Sequence, residues 1–197
     1  PYYYKVYLAD HDVVAEVTPT ERAAIMRFTY PETDEARIVV DAFDGGSFVK
    51  VEQTGNKIIG YTTKNSGGVP ENFKNYFVIE CSQPFTFIKK VEDGNIQDGN
   101  EAKANHAGAV VGFKTRRGEQ VGLHVASSFI SAAQAERNLL EVKGKSFETI
   151  CQQGRDRWND VLGRIEVEDN NIDHLRTFYS CLYRSVLFPR SLFEKDA

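Results

Sequence analysis

Residues Val121–Leu140, VGLHVASSFISAAQAERNLL, contain a change of period that limits the folds open to this chain. Val121, Leu123 and Val125 alternate with Gly122, His124 and Ala126, the two-residue period of a strand with one buried face. Ser131 then precedes Ala132, Ala133 and Gln134, a Ser-x-x-Gln capping box that starts a helix. Before this stretch the sequence reads as strands and turns, and after it as helices. A sheet is therefore expected to end on its last strand, with the chain leaving through a capped helix.

Short strands are expected at Tyr3–Leu8, Val13–Thr18, Ala23–Thr29, Arg37–Asp41, Phe48–Gln53, Lys57–Thr63, Tyr76–Cys81, Thr86–Val91, Ala109–Lys114 and Gln120–Phe129. Aromatic and β-branched residues dominate them, as a pleated, half-buried surface requires. Turn signals separate them, among them Asp44-Gly45-Gly46, Thr54-Gly55-Asn56, Ser66-Gly67-Gly68 and Asp93-Gly94-Asn95. Many strands at this spacing predict an antiparallel sandwich or barrel.

Beyond Ser131 the period becomes helical. Phe147, Ile150, Cys151, Trp158, Val161, Leu162 and Ile165 place an amphipathic helix over Ser146–Gly163, with Ser146 as N-cap and Gly163 as its stop. A short extended link, Ile165–Glu168, leads to a helix capped by Asp173 and limited by Pro189 near Phe188. Leu175, Phe178, Tyr179, Cys181, Leu182, Tyr183, Val186, Leu187 and Phe188 surround most of that helix. A helix apolar nearly all round is expected to be buried on most sides. The few residues after it cannot cover it, so its packing partners are expected beyond Ala197. The chain is read as the truncated front part of a larger protein. Pro1, with no initiator Met and no leader before it, is read as a cut or processed end. The expected divisions are a sandwich over 1–130, a helical linker over 131–168 and an incomplete helical domain over 169–197.

With 24 basic and 28 acidic residues the net charge is −4, which gives no electrostatic reason for nucleic acid or an anionic membrane as partner. No apolar run is long enough to span a membrane. Cys81, Cys151 and Cys181 are scattered and odd in number, so neither a disulfide framework nor a zinc site is expected; Cys151 and Cys181 are read as buried, inert thiols on apolar helical faces. The oxygen-rich stretch Glu92–Glu101 misses the EF-hand spacing and is read as a solvated turn, and Asp10-His11-Asp12 is read as a turn between strands. Nucleophile elbows and phosphate-binding glycine loops are absent, and His124 is given a structural role. Carboxylates are plentiful, but spacing alone selects no acid–base pair. Tyr2, Tyr3, Tyr4 and Tyr61 are candidates for stacking on a sugar in a non-catalytic, carbohydrate-binding sandwich; a structural domain without ligand is a further reading.

Four ordered blocks make the sequence less anonymous: Ala15–Arg22 running on to Arg27–Pro31; Val125–Ser131 with Gln134, Ala135, Asn138 and Leu139; Trp158, Leu162 and Ile165–Glu168; and Phe178–Arg190. Together they resemble the glycoside hydrolase family 92 α-mannosidases. Ala24 and Met26 stand where the family pattern has Gly and His, and Pro1–Tyr4 replaces a Pro-Gly-Tyr-Tyr opening. The resemblance implies an N-terminal β-sandwich, a helical connection and a C-terminal (α/α)6 barrel, with residues 173–188 an early helix of that barrel. It implies an exo-acting, calcium-dependent, inverting α-mannosidase, active on α-mannoside glycans with an α-1,2 preference and secreted or periplasmic. Inversion calls for an acid and a base roughly 6.5–9.5 Å apart. The family's acid, base and calcium motifs match no position in this sequence, so no catalytic residue and no metal ligand is assigned to it. They are expected in the missing C-terminal domain. Tyr183, Arg184, Arg190 and Glu194, at the barrel entry, are the candidates for the substrate-cleft wall.

Overall fold

The alternation at Val121–Ala126 forms a central strand that organises two layers. The structure, a computed structural model, describes residues 1–188 together with Phe193 and Glu194. In chain order the strands are β1 (Tyr4–Leu8), β2 (Val13–Pro19), β3 (Ala23–Tyr30), β4 (Thr33–Asp41), β5 (Ser47–Glu52) and β6 (Lys57–Thr62). They continue as β7 (Asn75–Cys81), β8 (Phe87–Glu92), β9 (Asn95–Asp98), β10 (Glu101–Ala104), β11 (Ala107–Thr115) and β12 (Glu119–Ser128). Three helices follow, α1 (Ala132–Asn138), α2 (Phe147–Leu162) and α3 (Ile172–Ser185). An eight-stranded sheet in the order β1-β2-β3-β12-β7-β6-β5-β10 faces a four-stranded sheet in the order β4-β11-β8-β9. Every strand pair is antiparallel, and the sandwich expected from the sequence is the fold observed.

The main core lies between the sheets. Val49, Val51, Ile58, Val111, Phe113 and Val121 are among its fully buried members. A second core lies on the other face of the larger sheet, where Ile25, Val78 and Ala126 meet Leu139, Val142, Phe147 and Ile150 from the helical segment. Strand β12 is thus covered on both faces near its end, more fully than its alternation suggests. Small Ala126 lets the helices approach closely.

The structure corrects several details. Residues Glu92–Glu101 are not a simple turn. Asp93 and Gly94 turn the chain into β9, and the chain then switches sheets into β10, which pairs with β5. Strand β9 is exposed along its length, so no apolar alternation marks it. The N-cap of α3 is Asn171 rather than Asp173: its side chain accepts from the Asp173 N–H at 3.0 Å. Helix α3 also ends at Ser185, short of Phe188, because the N–H groups of Val186 and Leu187 donate to carbonyls three residues back and tighten the last turn. Cys181 is exposed and Cys151 only half-buried; Cys81 is the buried thiol, its pKa pushed up to about 12 by burial.

Other expectations hold. Ser146 caps α2 by accepting from the Thr149 N–H at 3.1 Å, and Gly163 ends it. Ser131 caps α1 by accepting from the Gln134 N–H. Asp10-His11-Asp12 is a tight turn, fixed by the Tyr7 hydroxyl donating to Asp12 at 2.9 Å.

Candidate functional site

One end of the larger sheet gathers the turn after β2, the exit of β12, the start of β7 and the segment that follows α3. Their meeting point is the Glu194 carboxylate. Its Oε1 accepts from the Phe129 N–H at 2.9 Å and its Oε2 from Asn138 Nδ2 at 2.8 Å. Asn138 also donates to the Ser127 carbonyl, so α1, β12 and Glu194 are joined through one buried amide. Burial opposes ionisation of Glu194, but hydrogen bonds from Asn138, Ser128 and Phe129, with the charge of Arg22, hold its pKa below the usual carboxylate range. Arg22 donates to the Phe193 carbonyl at 2.6 Å. Nearby, Glu141 accepts from the Thr20 hydroxyl and the Arg22 N–H, tying the turn after β2 to the short 3-10 turn Leu139–Glu141 that follows α1.

The barrel-entry candidates therefore part company. Glu194 is a clasp that receives backbone and amide donors. Tyr183 lies against Trp158 of α2, ring centroids 4.9 Å apart, and is half-buried. Arg184 is exposed on the last turn of α3. Arg190 lies outside the described residues. Within those residues Glu194 is not brought together with Tyr183 or Arg184. A groove of about 620 Å³ runs between the N-terminus, the turn after β2 and α2, lined by Tyr2, Glu21, Glu141, Arg157 and Trp158 among others.

A second polar cluster fastens α2 to the sheet. The Arg27 guanidinium donates to Glu16 at 2.9 and 3.2 Å and to Glu148 at 2.6 Å, and lies 4.2 Å from the centre of the Phe147 ring. The Tyr3 hydroxyl donates to Glu16 at 2.6 Å. The Arg27 hydrogen bonds hold Glu16 below the usual carboxylate range despite burial, and Glu148 is lowered by Arg27 as well. Neither cluster was visible in the sequence, because its members lie far apart along the chain.

These carboxylates are poorly suited to acid catalysis. A general acid at neutral pH needs a raised pKa, and Glu16, Glu148, Glu194 and Asp41 are all shifted down by their donors. Two of the four stacking candidates, Tyr3 and Tyr61, are engaged, whereas Tyr4 is 61% exposed. Tyr61 stacks on Phe48 at 5.7 Å with the Lys74 ammonium 4.3 Å from its centre, and Tyr3 meets Phe147 edge-on at 6.0 Å. Among the described residues no group of three or more His, Cys, Asp or Glu side chains is placed to hold a metal ion. Among them, too, no helix is long and apolar enough to cross a membrane.

Residues 1–128 match the model of the glycosyl hydrolase family 92 N-terminal domain, and residues 134–197 match that family's catalytic domain. The chain is similar, over its whole length, to a family 92 inverting mannosidase from Bacteroides thetaiotaomicron VPI-5482, with 36% identity and a TM-score of 0.96, covering 27% of that chain. It is similar over its whole length to a second family 92 α-mannosidase from Bacteroides thetaiotaomicron, with 30% identity and a TM-score of 0.89, covering 28% of that chain. A structure of that protein in complex with mannoimidazole matches at a TM-score of 0.88. A curated relative described as an uncharacterized secreted glycosidase, from Arthroderma benhamiae, is 25% identical over 96% of this chain and 28% of its own length. The chain thus spans little more than a quarter of the length of these relatives.

Proposed function

The chain belongs to glycosyl hydrolase family 92, and from that premise we propose that it is the front part of an inverting, exo-acting α-mannosidase that depends on calcium and prefers α-1,2-linked mannosides of glycans. The observation that carries this reading is the match at 36% identity, over the whole chain, to an inverting mannosidase. A solved relative bound to mannoimidazole supports a mannose-type substrate. A secreted or periplasmic location is part of the proposal, supported by a relative described as a secreted glycosidase.

In this reading the sandwich and α1–α3 are scaffold and barrel entry. An inverting hydrolase needs an acid and a base roughly 6.5–9.5 Å apart with a water between them. The carboxylates described above are occupied by Arg27, Asn138 and backbone donors, so the acid and base are proposed to lie in the remainder of the catalytic domain. The calcium ligands are proposed to lie there as well. Tyr183, Arg184 and Arg190 are proposed to lie toward the cleft, and Glu194 to hold the strand-to-barrel crossing in place.

The test is mannose release from an α-1,2-linked mannobiose by the full encoded polypeptide and by this chain alone, with calcium and with a chelator. Release by the full polypeptide only, stopped by the chelator, is the expected result. Turnover by this chain would place the acid and base among its own carboxylates. No release by either would overturn the mannosidase reading.

A further inference from the structure

The connection between β6 and β7, residues 63–74, is the longest between strands, and it rises from the end of the sheet where Glu194 docks. Its root is fixed. The Thr63 hydroxyl donates to the Gly45 and Gly46 carbonyls at 2.6 and 2.8 Å, and Lys64 pairs with Asp44 at 2.7 Å. At the other side the Phe73 ring packs on Phe129, centroids 5.7 Å apart, and the Phe129 N–H is the group that donates to Glu194. The loop and the barrel-entry segment therefore share one residue as their support.

The tip differs from the root. Gly67 and Gly68 take positive φ angles of 96° and 73°, and Val69, Pro70, Glu71 and Asn72 are exposed. The side chains of Ser66, Glu71 and Asn72 make no hydrogen bond among the described residues. A long loop with an anchored base and free hydroxyl, carboxylate and amide groups at its tip is built to present polar groups to something outside the sandwich. Donors and acceptors of this kind pair with sugar hydroxyls. The other long-reaching feature at this end is the exposed pair Phe129 and Ile130, beside the exposed Phe193.

We propose that loop 63–74 forms part of the wall of the substrate cleft in the full-length protein and that Glu71 and Asn72 hydrogen-bond the leaving-group sugar, so that the sandwich helps to choose the glycan. The proposal rests on the mannosidase reading above. It makes the loop a specificity element: its groups contact the departing sugar and leave the mannose being cleaved to the barrel.

The experiment uses the full encoded polypeptide and two substrates, α-1,2-linked mannobiose, which has a leaving sugar, and α-mannosyl fluoride, which has none. Two variants are made: Glu71→Ala with Asn72→Ala, and replacement of residues 66–70 by two glycines. The paired point variant is expected to lose at least tenfold in kcat/KM on the mannobiose, with less than a twofold change on the fluoride. The shortened loop is expected to do the same. Should the shortened loop fail to fold, as read by its thermal melt, the point variant decides alone. Equal losses on both substrates, or no loss on either, would overturn the proposal. A wild-type polypeptide inactive on both substrates would overturn the mannosidase reading itself, and the loop's role with it.

Discussion

Arg27 holds two carboxylates with one guanidinium, and the two are not equivalent. Glu16 is only 8% exposed, whereas Glu148 is 70% exposed. The Glu16 pair is therefore poorly screened and the Glu148 pair well screened, so the larger share of the stabilisation belongs to Glu16. Arg27→Met keeps the aliphatic stem over Phe147 but leaves a buried carboxylate with Tyr3 as its remaining side-chain donor. The expected loss is about 2 kcal/mol in urea unfolding, against under about 1 kcal/mol for Glu148→Ala. The pH dependence follows from the direction of the shift. Glu16 is lowered from 4.5 in the folded chain, chiefly by Arg27, so its contribution is complete above that value and is lost as pH falls through the lower native one. Wild type should therefore lose more stability than Glu16→Gln between about pH 5 and pH 2. Parallel stability curves for the two proteins over that range would show that Glu16 does not titrate against Arg27.

The same cluster matters to an element, because it seats α2 on β2 and β3. Phe147 and Ile150 lie in the second core, while the later part of α2 turns Trp158 toward α3. Ile150→Ala should cost about 3 kcal/mol, since the residue is 1% exposed and its site is closed by the sheet. Trp158→Ala should cost less than half as much despite the larger side chain, because Trp158 is half-buried against a helix that is itself open. Chemical unfolding of both variants checks the order, and the reverse order would mean that α2 is held from its α3 side. These elements also show what the sequence disclosed. Strands with an apolar face, such as β5 with Val49 and Val51 inward, were legible because alternation is a local property. Strands β9 and β10 were not: one is exposed throughout and the other buries only Ala102, so hydrogen bonding to β8 and β5 defines them. The Glu194 clasp escaped notice for a related reason. Its partners Asn138 and Phe129 lie 56 and 65 residues away in the chain, and nothing near Glu194 announces them. What the motifs did carry was the caps at Ser131 and Ser146, whose bonds close within three residues.

At the scale of the whole molecule, the sandwich and the last helix differ in how completely they are supported. Both faces of the larger sheet are covered, one by the smaller sheet and one by α1 and α2. Helix α3 has no buried residue, and its described contacts with the rest include the Trp158–Tyr183 ring pair, the Tyr179 hydroxyl on the Ile165 carbonyl at 3.2 Å and the His174 ring against the Asp169 carboxylate at 3.0 Å. Exposed Ile172, Val186, Leu187 and Phe188 extend this open apolar surface. A helix of this length is marginal on its own in water and gains most of its stability from packing. In the 197-residue chain the amides of α3 should therefore exchange at least about tenfold faster than those in the first two turns of α2, which lean on the second core. In the full encoded polypeptide, where the proposed barrel would cover the open face, the α3 amides should slow toward the rate of α2. Hydrogen exchange followed by mass spectrometry on both proteins reads the two cases directly. Equal protection of α3 and α2 in the short chain would show that α3 draws its stability from within. Unchanged fast exchange in the full polypeptide would show that nothing packs on this face, and would remove α3 from the barrel.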